Sequence, residues 1–123
     1  MISLATIRRM IKRLPGAEEG TSYGTPGFRV KKKLFARLHG KEDAIVLLLD
    51  SVDEQQALIE KDPMVFYITP HYDGFAAVLV RPIIEDEEFF GLLERAWRRV
   101  ARKSDLAEFD RRRDARGGGE GND

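Results

Sequence analysis

Thr69-Pro70-His71-Tyr72-Asp73-Gly74-Phe75 runs directly into Ala76-Ala77-Val78-Leu79-Val80-Arg81 and joins two apolar runs. Before it, Val65-Phe66-Tyr67-Ile68-Thr69 is β-branched and aromatic, a composition that fits a pleated, half-buried surface. Pro70 has no N–H to give to a ladder, and Tyr72-Asp73-Gly74 supplies turn chemistry. The stretch reads as the turn of a hairpin that presents polar and aromatic groups at a sheet edge. Its second strand spans Ala76 to Pro82, where proline ends the pairing or marks an edge.

Outward from this hairpin, helical patterns lie at both ends. Over residues 3–14, Leu4, Ile7, Ile11 and Leu14 keep one helical face, with Met10 beside them. Ser3 can cap that helix, and Pro15-Gly16 stops it. Arg8, Arg9, Lys12 and Arg13 fall largely off the apolar stripe. Residues 86–103 predict the longest helix. Acids at Glu85–Glu88 and bases at Arg98, Arg99, Arg102 and Lys103 both complement its dipole. Phe89, Leu93, Ala96, Trp97 and Val100 form its inward stripe.

Between the helices the period shortens. Thr21-Ser22-Tyr23 suits a strand, and Gly24-Thr25-Pro26-Gly27 predicts a turn. Phe28-Arg29-Val30 and Leu34-Phe35-Ala36-Arg37-Leu38 alternate, with Lys31-Lys32-Lys33 as a charged turn, so this segment predicts a hairpin with a basic tip. Ala44 to Leu49 is a six-residue apolar run between charged turns and predicts a buried central strand. Residues 53–61 predict a short helix, capped by Ser51 or Asp53, with Ala57 and Leu58 inward. After Ser104 the pattern fades. Leu106 and Phe109 suit one docked turn, and 104–123 otherwise reads as a basic, then Gly-rich, flexible tail. Residues 1–103 then form a single domain.

A chain of 123 residues with 42% hydrophobic content suits one core. Without cysteine, disulfides, thiolate nucleophiles and Cys-based metal sites are excluded. No apolar run reaches the ~20 residues of a membrane helix, and the charged N-terminus lacks a signal peptide's apolar stretch. A cytoplasmic setting is expected. Net charge is zero but uneven. Residues 1–41 carry 10 Lys/Arg and 2 Asp/Glu, residues 42–94 carry 2 and 13, and residues 95–123 carry 9 and 6. That asymmetry describes either a self-complementary surface or a basic face that meets an anion.

Chemistry-bearing motifs are few. The two histidines stand 32 positions apart and give no transition-metal signature. Gly24-Thr25-Pro26-Gly27 lacks the Gly-Lys-Ser/Thr ending of a phosphate loop. No serine sits in a nucleophile-elbow context. No cofactor or metal is expected, and no catalysis. Two candidate clusters remain. Arg29, Lys31, Lys32, Lys33 and Arg37 lie on or near one hairpin, where Lys/Arg contacts to phosphates release counterions. His71, Tyr72 and Asp73, with Tyr23, are candidates for a small-ligand site; the plainer role of His71 is to fix its loop.

Leu14-Pro15-Gly16-Ala17-Glu18-Glu19-Gly20-Thr21-Ser22-Tyr23-Gly24, followed by Phe28-Arg29-Val30 and Lys33-Leu34-Phe35-Ala36-Arg37, resembles the opening of the MmcQ/YjbR family. Phe66 to Arg81, with Pro70-His71-Tyr72, Gly74-Phe75 and Val78-Leu79-Val80-Arg81, resembles its second signature. Ala96-Trp97-Arg98 resembles a third. The likeness covers roughly 3–103 and departs at Ala76-Ala77, where the pattern has a bulkier residue. It implies an α+β fold, a mainly antiparallel sheet packed by N- and C-terminal helices as in the CyaY, frataxin-like fold, in agreement with the element order above. It also implies DNA binding through a double-wing arrangement of hairpins. Frataxin-type iron binding needs an acidic first helix, and Arg8, Arg9, Lys12 and Arg13 argue against it.

The expected function is therefore a non-catalytic module for double-stranded DNA. The alternatives are a protein-interaction domain, monomeric or weakly homodimeric, and a small-ligand site around His71. No membrane partner is expected.

Overall fold

The computed structural model describes residues 1–121, with side chains to Arg116. The first helix, α1 (Leu4–Ile11), starts where the Ser3 hydroxyl accepts from the Thr6 N–H, and it buries Ile7, Met10 and Ile11. Gly16 then turns the chain at φ +79°, a conformation that glycine adopts without a Cβ clash. Next come β1 (Ala17–Ser22), β2 (Thr25–Val30), β3 (Lys33–Leu38), β4 (Ile45–Leu48), α2 (Val52–Lys61), β5 (Phe66–Tyr67), β6 (Ala77–Val80), α3 (Asp86–Arg98) and α4 (Lys103–Gly121). The strands make one six-stranded sheet in the order β1-β2-β3-β4-β6-β5. Every neighbouring pair is antiparallel. This is the α+β class expected from the sequence.

The sheet's two faces differ. One carries Phe28, Phe35, Ile45, Leu47, Phe66, Val78 and Val80 into the main core, against Ile7, Leu14, Phe89, Leu93 and Trp97 of the helical layer. Phe35 reaches that core through a bulge, because β2 and β3 shift register between Phe28 and Arg29. On the other face, Val46, Ala77 and Leu79 form a smaller cluster with Ala44 and Tyr72. The Thr69–Phe75 segment covers that half through a single 3₁₀ turn, Pro70–Tyr72.

Several local expectations shift. The first hairpin turns at Tyr23-Gly24, not over Gly24–Gly27. Both residues have positive φ, 51° and 81°, between the register partners Ser22 and Thr25, and such two-residue turns match strand twist. Thr25, Pro26 and Gly27 thus belong to β2. The basic turn is Lys31-Lys32, with Lys31 at φ 59°, and Lys33 already pairs with Val30. In α2, Ala57 is exposed and the buried residue is Gln55. Its amide nitrogen lies within hydrogen-bond distance of the carbonyls of Tyr72 (3.1 Å), Phe75 (2.7 Å) and Ala77 (2.8 Å), so its two N–H groups are shared among three acceptors.

The C-terminal reading is corrected for residues 104–116. They are helical, and Phe109 is buried with its ring 5.2 Å from that of Trp97. The buried Asp105 accepts from the Arg102 N–H and pairs with the Arg102 guanidinium at 2.8 Å, closing the helix start. The same carboxylate lies 2.7 Å from where a Cβ on Gly16 would stand. Trp97 Nε1 donates to the Pro15 carbonyl at 3.0 Å. The Pro15-Gly16 turn is thereby clamped by α3 and α4 together. Residues 122–123 of the expected flexible tail lie outside the described residues.

Candidate functional site

A row of register partners crosses the whole sheet: Gly20, Gly27, Arg37, Val46, Leu79 and Tyr67. Val46 and Leu79 are buried under the Thr69–Phe75 segment. Gly20 and Gly27 leave bare backbone on the β1–β2 side. Arg37 stands between these two halves. Its Nη2 donates to the Tyr72 hydroxyl at 2.6 Å and its Nη1 to the Leu38 carbonyl at 3.3 Å. The guanidinium carbon lies 5.5 Å from the Tyr23 ring centroid, within cation–π range. Tyr23 itself is 90% exposed, whereas Tyr72 is 2% exposed.

Arg29 lies on the same face, two residues along β2 from Gly27. Its Nη1 is 3.5 and 3.6 Å from where a Cβ on Gly20 or Gly27 would stand. It donates to the Thr21 carbonyl at 3.4 Å. The guanidinium thus lies along the sheet within ordinary van der Waals reach of both glycine positions. Gly27 is also closed to larger residues, because a Cβ there would meet the Ser22 side chain at 2.8 Å.

Lys31, Lys32 and Lys33 are exposed at the opposite end of β2 and β3. Lys33 and Arg37 are four residue steps apart along β3, about 13 Å. The five predicted cations thus form a band along one hairpin, with arginines on its face and lysines at its tip. Among the described residues, none of the five is in an ion pair. Asp105 feels the tip's charge: its carboxyl is held below the usual range first by its hydrogen bond with Arg102 and only last by the charge of Lys31.

The acids of the middle segment are used elsewhere. Asp50 pairs with Arg99 (3.1 Å), Glu54 with Arg95 (2.8 Å) and Glu88 with Lys61 (3.4 Å). Glu42 accepts from the Tyr67 hydroxyl at 2.7 Å, and the Arg81 guanidinium stacks 4.0 Å over that ring. Burial together with the Glu42 bond pushes the Tyr67 phenol up to about 12. Glu19 neutralises Arg8 at 2.8 Å. Asp50 and Glu54 therefore pair with C-terminal arginines, and among the described residues no middle acid forms an ion pair with the hairpin's bases.

Of the second predicted cluster, Tyr23 and Tyr72 flank Arg37, while His71 and Asp73 are exposed beside Tyr72. The His71 ring meets the Tyr72 ring edge-on at 4.9 Å. The Tyr72 hydroxyl is bonded to Arg37 and its carbonyl to Gln55. His39 fixes a neighbouring loop, its Nδ1 accepting from the N–H groups of Lys41 and Glu42 at 3.0 and 2.9 Å. The sequence did not reveal the Arg37–Tyr72 bond or the role of Gln55. A polar residue at the centre of the α2 pattern was the one available signal.

Among the described residues, no group of three or more His, Asp or Glu side chains converges as a metal site would require. No described helix is long and apolar enough to cross a membrane.

The YjbR family model matches residues 12–99, which include the Pro15-Gly16 turn, both early hairpins and Trp97. The chain belongs to the YjbR family. Its fold is similar to the crystal structure of the Deinococcus radiodurans protein DR2400, described by a DUF419 domain. The TM-score is 0.70 at 19% identity, over 89% of each chain. No curated protein matches the sequence.

Proposed function

We propose that this YjbR-family chain is a non-catalytic DNA-binding module that meets the phosphate backbone with the β2–β3 hairpin. The observation that supports the reading is the pairing pattern. Arg29, Lys31, Lys32, Lys33 and Arg37 form no ion pairs among the described residues, while acids from the middle segment pair with Arg95, Arg99 and Lys61. Cations without ion-pair partners on a preformed strand pair have no carboxylate to give up when they replace counterions. A band about 13 Å long spans roughly four base pairs of duplex at ~3.4 Å each.

Five phosphate contacts give a slope of log affinity on log salt near −4.5, so affinity falls about 500-fold between 50 and 200 mM salt. Fluorescence anisotropy with a 20-base-pair duplex measures this. Changing Lys31, Lys32 and Lys33 to Ala together flattens the slope by about 2.7. No binding at 50 mM salt, or an unchanged slope in the triple variant, overturns the reading.

One observation favours a single-stranded target at the other end of the band. Tyr23 exposes its ring beside Arg37, and such a pair can stack an unpaired base for about 1–3 kcal/mol. Under that reading a 20-nucleotide single strand binds more tightly than the duplex, and Tyr23→Ala weakens the single strand alone.

A further inference from the structure

Away from the sheet's open face, the end of α1 meets α3 and α4 around a cleft of about 310 Å³. Phe90 and Phe109 line it with Arg13, Arg112, Arg113 and Glu94, and Arg116 completes it. Both phenyl rings belong to the core and are only 7% and 8% exposed, so they form a fixed apolar floor. The Arg13 guanidinium lies 3.8 Å over the Phe90 ring.

The charges around the cleft do not cancel. Glu94 is held by Arg98 at 2.8 Å, Arg112 by Glu108 at 2.7 Å, and Arg113 by Asp110 at 3.1 Å. Arg13 and Arg116 have no ion-pair partner among the described residues. The cleft thus combines an apolar floor with two guanidinium groups that form no ion pair among the described residues, one of them stacked on Phe90. Its volume is at the small end of ligand sites, enough for one or two fused rings.

We propose that this cleft binds a small aromatic carboxylate. Its ring rests against Phe109 and the Arg13–Phe90 stack, and its carboxylate takes charge-assisted hydrogen bonds from Arg13 and Arg116. Neither Arg13 nor Arg116 belongs to the hairpin proposed to bind DNA, so the two readings stand or fall separately.

The test uses the full chain and 2-naphthoate, with the neutral 2-naphthylmethanol as its isostere, followed by NMR titration of the phenylalanine ring signals. The expected result is a saturable one-to-one shift centred on Phe90 and Phe109, with the alcohol at least about tenfold weaker. Arg13→Gln and Arg116→Gln each weaken naphthoate about tenfold, the loss of one charge-assisted bond. Arg116→Gln carries the test if Arg13→Gln disturbs the stack on Phe90. Equal binding of acid and alcohol, shifts centred elsewhere, no binding at millimolar naphthoate, or full affinity in a folded Arg116→Gln variant overturns the proposal.

Discussion

Arg37 and Tyr72 stand 35 positions apart and meet at 2.6 Å, guanidinium Nη2 to phenol oxygen. The bond ties the third strand to the turn that lies over the fourth and sixth strands. It also aims one cation of the basic band. Replacing Tyr72 with Phe keeps the ring in its cluster and removes only the acceptor. The expected cost is about 1–2 kcal/mol in urea unfolding. DNA affinity at 50 mM salt should stay within about twofold, because the positive charge remains.

Gln55→Leu should be far more damaging. It keeps the approximate volume but removes two amide N–H groups shared among three carbonyls inside the protein, of which only those of Tyr72 and Phe75 also accept from backbone N–H groups, those of Phe75 and Ala77. Leaving a buried acceptor such as the Ala77 carbonyl without this donor costs roughly 1–3 kcal/mol when no water reaches it, and the other two carbonyls lose their second bond. A loss of about 3 kcal/mol in chemical denaturation is expected. A neutral outcome would mean that water takes over the donor role.

Phe109→Ala probes whether the last helix belongs to the folding unit. The ring is 8% exposed and packs on Trp97. Deleting such a ring costs about 3 kcal/mol. If residues beyond 103 were a loose appendage, the unfolding midpoint would not move.

Asp105 gives a pH dependence with a definite sign. Its folded-state carboxyl is lowered from 3.8, chiefly by the Arg102 hydrogen bond and against the opposing effect of burial. A lowered folded value means the contribution is fully present above the unfolded value and disappears as pH falls through the folded one. Asp105→Asn should therefore be less stable than the parent at pH 7, and the difference should shrink below about pH 4. Thermal unfolding across pH 2–7 reads this directly.

Tyr67 works at the opposite end of the scale. Its phenol is raised from 10.0 to about 12. A raised folded value supports the fold below the unfolded value, and that support is lost as pH climbs from 10 toward 12. Spectroscopic titration of tyrosinate absorbance should show a late step near pH 12 that is missing in Tyr67→Phe. Opening its bond with Glu42 through Glu42→Gln should bring the step to lower pH.

The elements read most accurately from sequence were those with strong local signals. Ser3 and Ser51 cap their helices, and the Ala44–Leu49 run holds a central strand. Turn positions were harder, because Gly24-Thr25-Pro26-Gly27 offers several turn-forming residues and only strand pairing selects Tyr23-Gly24. Arg29 and Arg37 were legible as neighbours within one hairpin. Their orientation was not, since it depends on the Thr21 carbonyl of a neighbouring strand and on Tyr72 from a third segment. The last helix was missed because its polar surface hides a short apolar contact made by Phe109. Gln55 was missed for a similar reason: its purpose lies in carbonyls 17 to 22 positions away.

Gln55 also bears on how an encounter at this surface would proceed. Two N–H groups of one amide, shared among three carbonyls, hold the backbone from Tyr72 to Ala77 in its final shape without help from any visitor. A rim that is finished in advance gives up little disorder on contact. Association at this edge should resemble rigid docking, with the same rim geometry in the empty and occupied protein.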